Sequence, residues 1–136
     1  MKPAFIDSNI IVYHLAGNHP RFSPRSTALV QRLSRGEEAA VCTSTAVIEA
    51  SFVIERVLRV PRSQAAPALR NLVSISAIEF DFRQAIIDAI DLWRENGPLS
   101  LPDAYHLIFA RDAGLDRIYT FDTKMGRYPG VERLEP

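Results

Sequence analysis

Short apolar runs alternate along this chain with segments whose apolar residues recur every three or four positions. Ala4–Ile6 reads as a short strand, and Ile10, Ile11 and Leu15 form one helical face after it. Ser23–Pro24 has the look of an N-cap followed by a first-turn proline, opening a helix that Gly36 can close. Ala39–Thr43 is a second strand. A helix from Ser44 or Thr45 carries Val47, Ile48, Phe52, Val53 and Val57 to about Arg59, where Pro61 stops it. Ser63 opens a shorter helix, with Pro67 in or just after its first turn. Ser76–Phe80 is a weaker strand. Asp81 and Gln84 resemble a capping box for a helix striped by Ile86, Ala89, Ile90 and Trp93 and ended by Gly97. Pro102 falls in the first turn of a helix bearing Ala104, Leu107 and Ile108, closed by Gly114. Arg117–Phe121 and Val131–Leu134 are the fourth and fifth strands. Strands alternating with helices in this way predict an α/β fold: one domain over residues 1–136, with a central parallel sheet of four or five strands and helices on both faces.

Composition agrees with that picture and narrows it. The 136 residues suit one domain, and 47% hydrophobic against 24% charged residues supplies a core. No signal-peptide stretch or bilayer-length apolar run occurs, so a cytoplasmic protein without a membrane partner is expected. The single cysteine, Cys42, lies in an apolar strand and is expected to be packed and unreactive. Sixteen basic and sixteen acidic residues give zero net charge, which at face value argues against a nucleic-acid binder. Their placement reopens that question. The bases are 14 Arg and 2 Lys; Gly17–Gly36 holds Arg21, Arg25, Arg32 and Arg35 without an acid, and Arg56–Ile78 holds Arg56, Arg59, Arg62 and Arg70 likewise. Arginine is the better bidentate partner for phosphate.

Four acids share one geometric property. Asp7 and Asp122 each end a strand, while Glu49 and Asp103 fall near the starts of helices. In a parallel α/β sheet, strand C-termini and helix N-termini lie along the same edge, where ligands bind. Each acid also has an ordinary reading: Asp7 as an N-cap, Asp103 against a helix dipole, Asp122 in a turn. Glu49 sits among Val47, Ile48, Ala50 and Phe52, which predicts a half-buried carboxylate. Two like charges about 4 Å apart repel by roughly 4 kcal/mol at an effective dielectric near 20. Crowded carboxylates therefore share protons or hold cations, and hard oxygen donors suit Mg²⁺ or Mn²⁺. One or two such ions can activate water against a phosphodiester.

These pieces resemble a PIN domain, and among PIN domains the small VapC-type toxins of type II toxin–antitoxin pairs. The matching segments are Asp7–Ser8–Asn9 after the first strand, Glu49 in an apolar helix behind a Ser/Thr cap, Leu101–Pro102–Asp103–Ala104 opening a helix, and Thr120–Phe121–Asp122 after a strand. The resemblance covers nearly the whole chain. It implies an endoribonuclease dependent on one or two Mg²⁺ or Mn²⁺ ions, cleaving RNA by a metal-activated water with Asp7, Glu49, Asp103 and Asp122 as catalytic metal ligands. Asn9 and Thr120 would be polar supports. A homodimer and a small antitoxin protein are implied as well. Arg21, Arg25, Arg56 and Arg59 are the expected contacts to the RNA backbone. Two positions depart from the family pattern: His106 stands where an apolar residue is usual, and Met125 where an aromatic often follows the last acid. Two other readings stay open, a non-catalytic PIN-like module binding RNA or protein, and another metal-dependent phosphoryl-transfer enzyme.

Overall fold

The structure, a computed structural model, describes residues 2–136, which fall into two compact units, residues 2–83 and 84–136. Among the described residues, six α-helices are interspersed with five strands, and every strand pairing is parallel.

In the first unit, β1 (Ala4–Phe5), β2 (Ala40–Cys42) and β3 (Ile78–Phe80) form one sheet in that order. Helix α1 (Ser8–Ala16) is capped by Asp7, whose Oδ1 accepts from the Ser8 N–H at 2.7 Å, and ends at Gly17 in the left-handed region. Helix α2 (Phe22–Ser34) has Arg21 at its cap position, two residues before the expected cap Ser23. Its start is closed by a reciprocal pair. The His19 ring Nδ1 accepts from the N–H groups of Arg21 and Phe22, while the Ser23 hydroxyl accepts from the His19 N–H.

Helix α3 (Ser44–Phe52) opens on Thr43, whose hydroxyl accepts from the Ala46 N–H. It then widens into a π turn, Val53–Val57, instead of running as α-helix to Arg59. The Leu58 N–H reaches back five residues to the Val53 carbonyl, and Arg59 adopts φ 54° before Pro61 ends the segment. Helix α4 (Arg62–Val73) starts directly after Pro61, so Pro67 falls in its second turn. The helix continues because Ala65, Ala66, Leu69, Leu72 and Val73 are all buried, and that packing outweighs the interrupted hydrogen bond.

Asp81 departs from its expected role. It accepts from the backbone and hydroxyl of Ser44 at 2.8 and 2.9 Å, joining the end of β3 to the start of α3, and Gln84 bonds Asp88 instead. The Arg83 guanidinium donates to the carbonyls of Val73, Ile75 and Ile78, tying the end of α4 to β3.

The second unit takes up all of α5 (Arg83–Glu95) after its first residue; α5 buries Ile86, Ile87, Ala89, Ile90 and Trp93, and α6 (Leu101–Asp112) buries Leu101, Ala104, Leu107, Ile108 and Ala110. Arg111 on α6 pairs with Asp88 on α5 at 2.5 Å. The last strands, β4 (Arg117–Tyr119) and β5 (Glu132–Leu134), form their own parallel pair. The crossover between them, residues 120–131, is about as short as parallel strands allow and contains a 3-10 turn, Thr123–Arg127. The expected five strands are therefore hydrogen-bonded as three and two. Each strand is only two or three residues long, and the ladder bonds of β1 run to β2. Among the described residues, no helix is long and apolar enough to cross a membrane.

Candidate active site

The second unit brings two of the four acids together, through local caps and one small core. Ser100 and Asp103 form a capping box: the Ser100 hydroxyl accepts from the Asp103 N–H at 3.2 Å, and Asp103 Oδ2 accepts from the Ser100 N–H at 3.1 Å. That exchange fixes the carboxylate in the first turn of α6, at the positive end of the helix dipole. Asp122 caps the 3-10 turn, its Oδ1 accepting from the Lys124 N–H at 3.0 Å. Thr120 steadies the approach, since its hydroxyl accepts from the Asp122 N–H at 3.0 Å. Leu99, Leu107 and Met125 pack into one buried cluster, edged by Leu92, Ile118, Tyr128 and Val131. Leu107 lies one helical turn beyond Asp103 and Met125 three residues beyond Asp122, so this contact draws the two carboxylates toward each other. The Lys124 ammonium stands against both, 3.8 Å from Asp103 Oδ2 and 3.5 Å from Asp122 Oδ2.

The first unit holds the other two acids. Asp7 is exposed just past the C-terminal end of β1, and Asp81 is exposed just past the same end of β3. Both negative charges are felt by Cys42 at the end of β2. Burial is the main force pushing that thiol up to about 11, and Asp81 and Asp7 add to it. The Cys42 S–H donates to the Ile6 carbonyl at 3.5 Å and the residue is buried, as expected of a packed, inert cysteine.

Glu49 differs from its expectation. It is the sixth residue of α3 and exposed, because the buried face of the helix is Ala46, Val47, Ala50 and Ser51. Thr45, Glu49 and Phe52 follow the helical repeat along the opposite, open face. Apolar neighbours in sequence are not neighbours in space on a helix. Asn9, in the first turn of α1, is exposed. Among the described residues, no three His, Cys, Asp or Glu side chains gather closely enough to hold a metal ion as a set.

Two residues that matter here, Lys124 and Ser100, had no role in the sequence reading, and Asp81 had been read there only as a helix cap. The Ser100–x–x–Asp103 spacing is a legible capping-box signal, whereas nothing in sequence marks Lys124 as a partner of Asp103. His106 is exposed on α6, and Met125 is buried in the small core.

The arginines divide into two groups. Arg35 and Arg62 are committed to Glu37 and Glu55 at 2.7 and 2.5 Å, and Arg32 stands 3.8 Å from Glu38. Arg21, Arg25, Arg56 and Arg59 are exposed, and none of these four is in an ion pair among the described residues. Arg21 lies over the Phe22 ring, 5.7 Å from its centroid. Arg25 lines an open groove of about 570 Å³ with Asn9, Tyr13, Phe22, Leu29 and Arg32.

Comparison with known proteins gives two findings. A family model described as PIN domain matches residues 4–131, crossing both units. Two relatives, "VapC ribonuclease Mb1869c" of Mycobacterium bovis and "Ribonuclease VapC13" of Mycobacterium tuberculosis, are each 26% identical to this chain over 131 residues, covering 95% of it and 97% of the relative.

Proposed function

This chain belongs to the PIN-domain family, and from that premise we propose that it is a Mg²⁺- or Mn²⁺-dependent endoribonuclease, the toxin of a toxin–antitoxin pair. The ribonuclease reading is supported by the names of the two relatives, each matched along nearly its full length. The observation that carries the metal site is the convergence of Asp103 and Asp122 on one ammonium. Two carboxylates already arranged around a single positive charge fit a hard divalent ion, which proteins often hold by one or two carboxylates plus water and substrate phosphate. Asp103 and Asp122 are its ligands in this proposal, and Asp7 and Glu49 are the further catalytic carboxylates that the family resemblance implies.

Such an ion supplies activation of water and neutralisation of phosphodiester charge. The chain's own residues do the rest. The Ser100–Asp103 box and the Asp122 cap each hold a carboxylate in place through one oxygen and a backbone N–H. Thr120 positions the Asp122 backbone, and Asn9 offers an exposed amide two residues from Asp7. Arg21, Arg25, Arg56 and Arg59, exposed and free of acids, are the proposed contacts to the RNA backbone. We take residues 1–136 to work as one domain, as a cytoplasmic homodimer, with a small antitoxin protein as inhibitor.

The test is RNA digestion by the purified chain with Mg²⁺ or Mn²⁺, with EDTA, and by Asp103→Asn. Cleavage that requires metal and disappears in the variant is the expected result. RNA bound but left intact under every metal condition would sink the nuclease and favour a binding module.

A further inference from the structure

Lys124 stands where the proposed ion would be needed, and it is held there in an unusual way. Its backbone N–H donates to Asp122 Oδ1 at 3.0 Å, while its own ammonium faces Asp122 Oδ2 at 3.5 Å and Asp103 Oδ2 at 3.8 Å. Main chain and side chain of one residue thus serve the same carboxylate. Among the described residues, no other cation forms an ion pair with Asp7, Glu49, Asp103 or Asp122.

We propose that Lys124 is the resident counter-cation of the Asp103–Asp122 pair, so that loading the site with a divalent ion is an exchange in which the ammonium leaves and the metal takes its place. The inference rests on the reading of Asp103 and Asp122 as metal ligands. It adds an internal competitor that sets how much free metal is needed to fill the site.

Three observations separate an exchangeable cation from a fixed clamp. The first is length. Charge-assisted N–H···O bonds usually lie near 2.7–2.9 Å, and both Lys124 contacts are well beyond that, whereas Arg62–Glu55 and Arg111–Asp88 close to 2.5 Å. The second is exposure. The Lys124 side chain is 40% exposed, so its ammonium keeps access to water and loses little on leaving. The third is the division of labour in holding the carboxylates. Asp103 is fixed by the Ser100 N–H and Asp122 by the Lys124 N–H, both backbone groups, so neither aspartate depends on the ammonium for its position.

Residue type points the same way. The chain has 14 Arg and only 2 Lys, and one of those two stands between the carboxylates. An arginine would grip a carboxylate with a rigid, bidentate fork. A lysine offers a point charge on a flexible stem, which can withdraw without disturbing what it neutralised. Without metal, Lys124 relieves the repulsion between the two aspartates; with metal, it is redundant.

Calorimetric titration of Mn²⁺ into the full chain, together with metal-free melting curves, tests the exchange on wild type, Lys124→Met, Lys124→Arg and Asp103→Asn. Removing the competitor in Lys124→Met should tighten Mn²⁺ binding about three- to tenfold, the size expected for two exposed ion pairs, and lower the metal-free Tm. Lys124→Arg should restore the metal-free Tm and bind Mn²⁺ no more tightly than wild type. A merely structural lysine would lower the Tm and weaken Mn²⁺ binding together, and that result overturns the proposal, as does unchanged affinity in Lys124→Met. If wild type binds Mn²⁺ and Asp103→Asn does not, the metal-site reading stands, and the Lys124→Met affinity alone decides the exchange. If no form binds Mn²⁺, the metal-site reading itself fails and takes the exchange with it.

Discussion

At the scale of single residues, each aspartate of the candidate site also has a structural duty, and the two duties can be pulled apart. Asp7 caps α1 and Asp103 closes a capping box, each through one carboxylate oxygen accepting a backbone N–H. Asparagine keeps an accepting oxygen and removes the charge; alanine removes both. Asp7→Asn should therefore melt within a few tenths of a kcal/mol of wild type, and Asp7→Ala should lose about 1 kcal/mol. Both should lose RNA cleavage. Cleavage at wild-type rate by Asp7→Asn would leave Asp7 as a cap alone. Cys42 gives an independent check on the same strand edge. Its thiol is buried and pushed up to about 11, so at pH 8 iodoacetamide should label it only in denaturant. Because the folded value is raised, its contribution to stability is whole below the unfolded value near 9 and is lost as pH rises through about 11. Rapid labelling of the native chain at pH 8 would contradict the packing around Ile6 and Cys42.

Between elements, α1 and α2 are joined by a titratable contact. The His14 Nδ1 and the Thr27 hydroxyl are 3.0 Å apart, and burial holds the imidazole below its ordinary 6.5. The unfolded chain therefore takes up the proton first as pH falls. Stability from this group is present above pH 6.5 and is lost as pH drops through the lower folded value. The urea midpoint should fall between pH 7 and pH 5, and His14→Gln should flatten that fall. An equally steep profile in the variant would assign the acid sensitivity elsewhere. The elements themselves were largely legible in sequence, since five strands and six helices follow from the apolar periods. The boundaries that moved have local causes. Ser23 was passed over because the His19 ring supplies the acceptor at the start of α2. Asp81 left its expected helix because Ser44 presents two donors to it across the sheet. The first is a local contact made by a residue type that no capping rule names, and the second joins residues 37 apart that no spacing rule connects.

For the whole molecule, zero net charge turns out to constrain little, because sum and placement are different quantities. Arg35 is tied to Glu37 at 2.7 Å, while Arg21 and Arg25 are exposed and, among the described residues, pair with no acid. If Arg21 and Arg25 meet RNA phosphates, replacing both with alanine should weaken binding measured in EDTA. It should also make the salt slope of log K shallower by about 1.4, near 0.7 for each single-strand contact. Arg35→Ala should leave the slope nearly unchanged. An equal effect from Arg35 would mean a general field and no specific contact. The alternation of short strands and amphipathic helices, the parallel pairing it implies, and the positions of Asp7, Asp103 and Asp122 at element ends were determined by the sequence alone, because they rest on local periodicity and capping. Tertiary structure decided the rest. It turned Glu49 to the open face of α3, since only packing tells which helical stripe is covered. It set Lys124 between Asp103 and Asp122, since that meeting depends on Leu99, Leu107 and Met125 closing one small core between residues far apart in the chain. Local patterns act over a few residues, and a site shared by distant segments exists only once the apolar surface between them is buried.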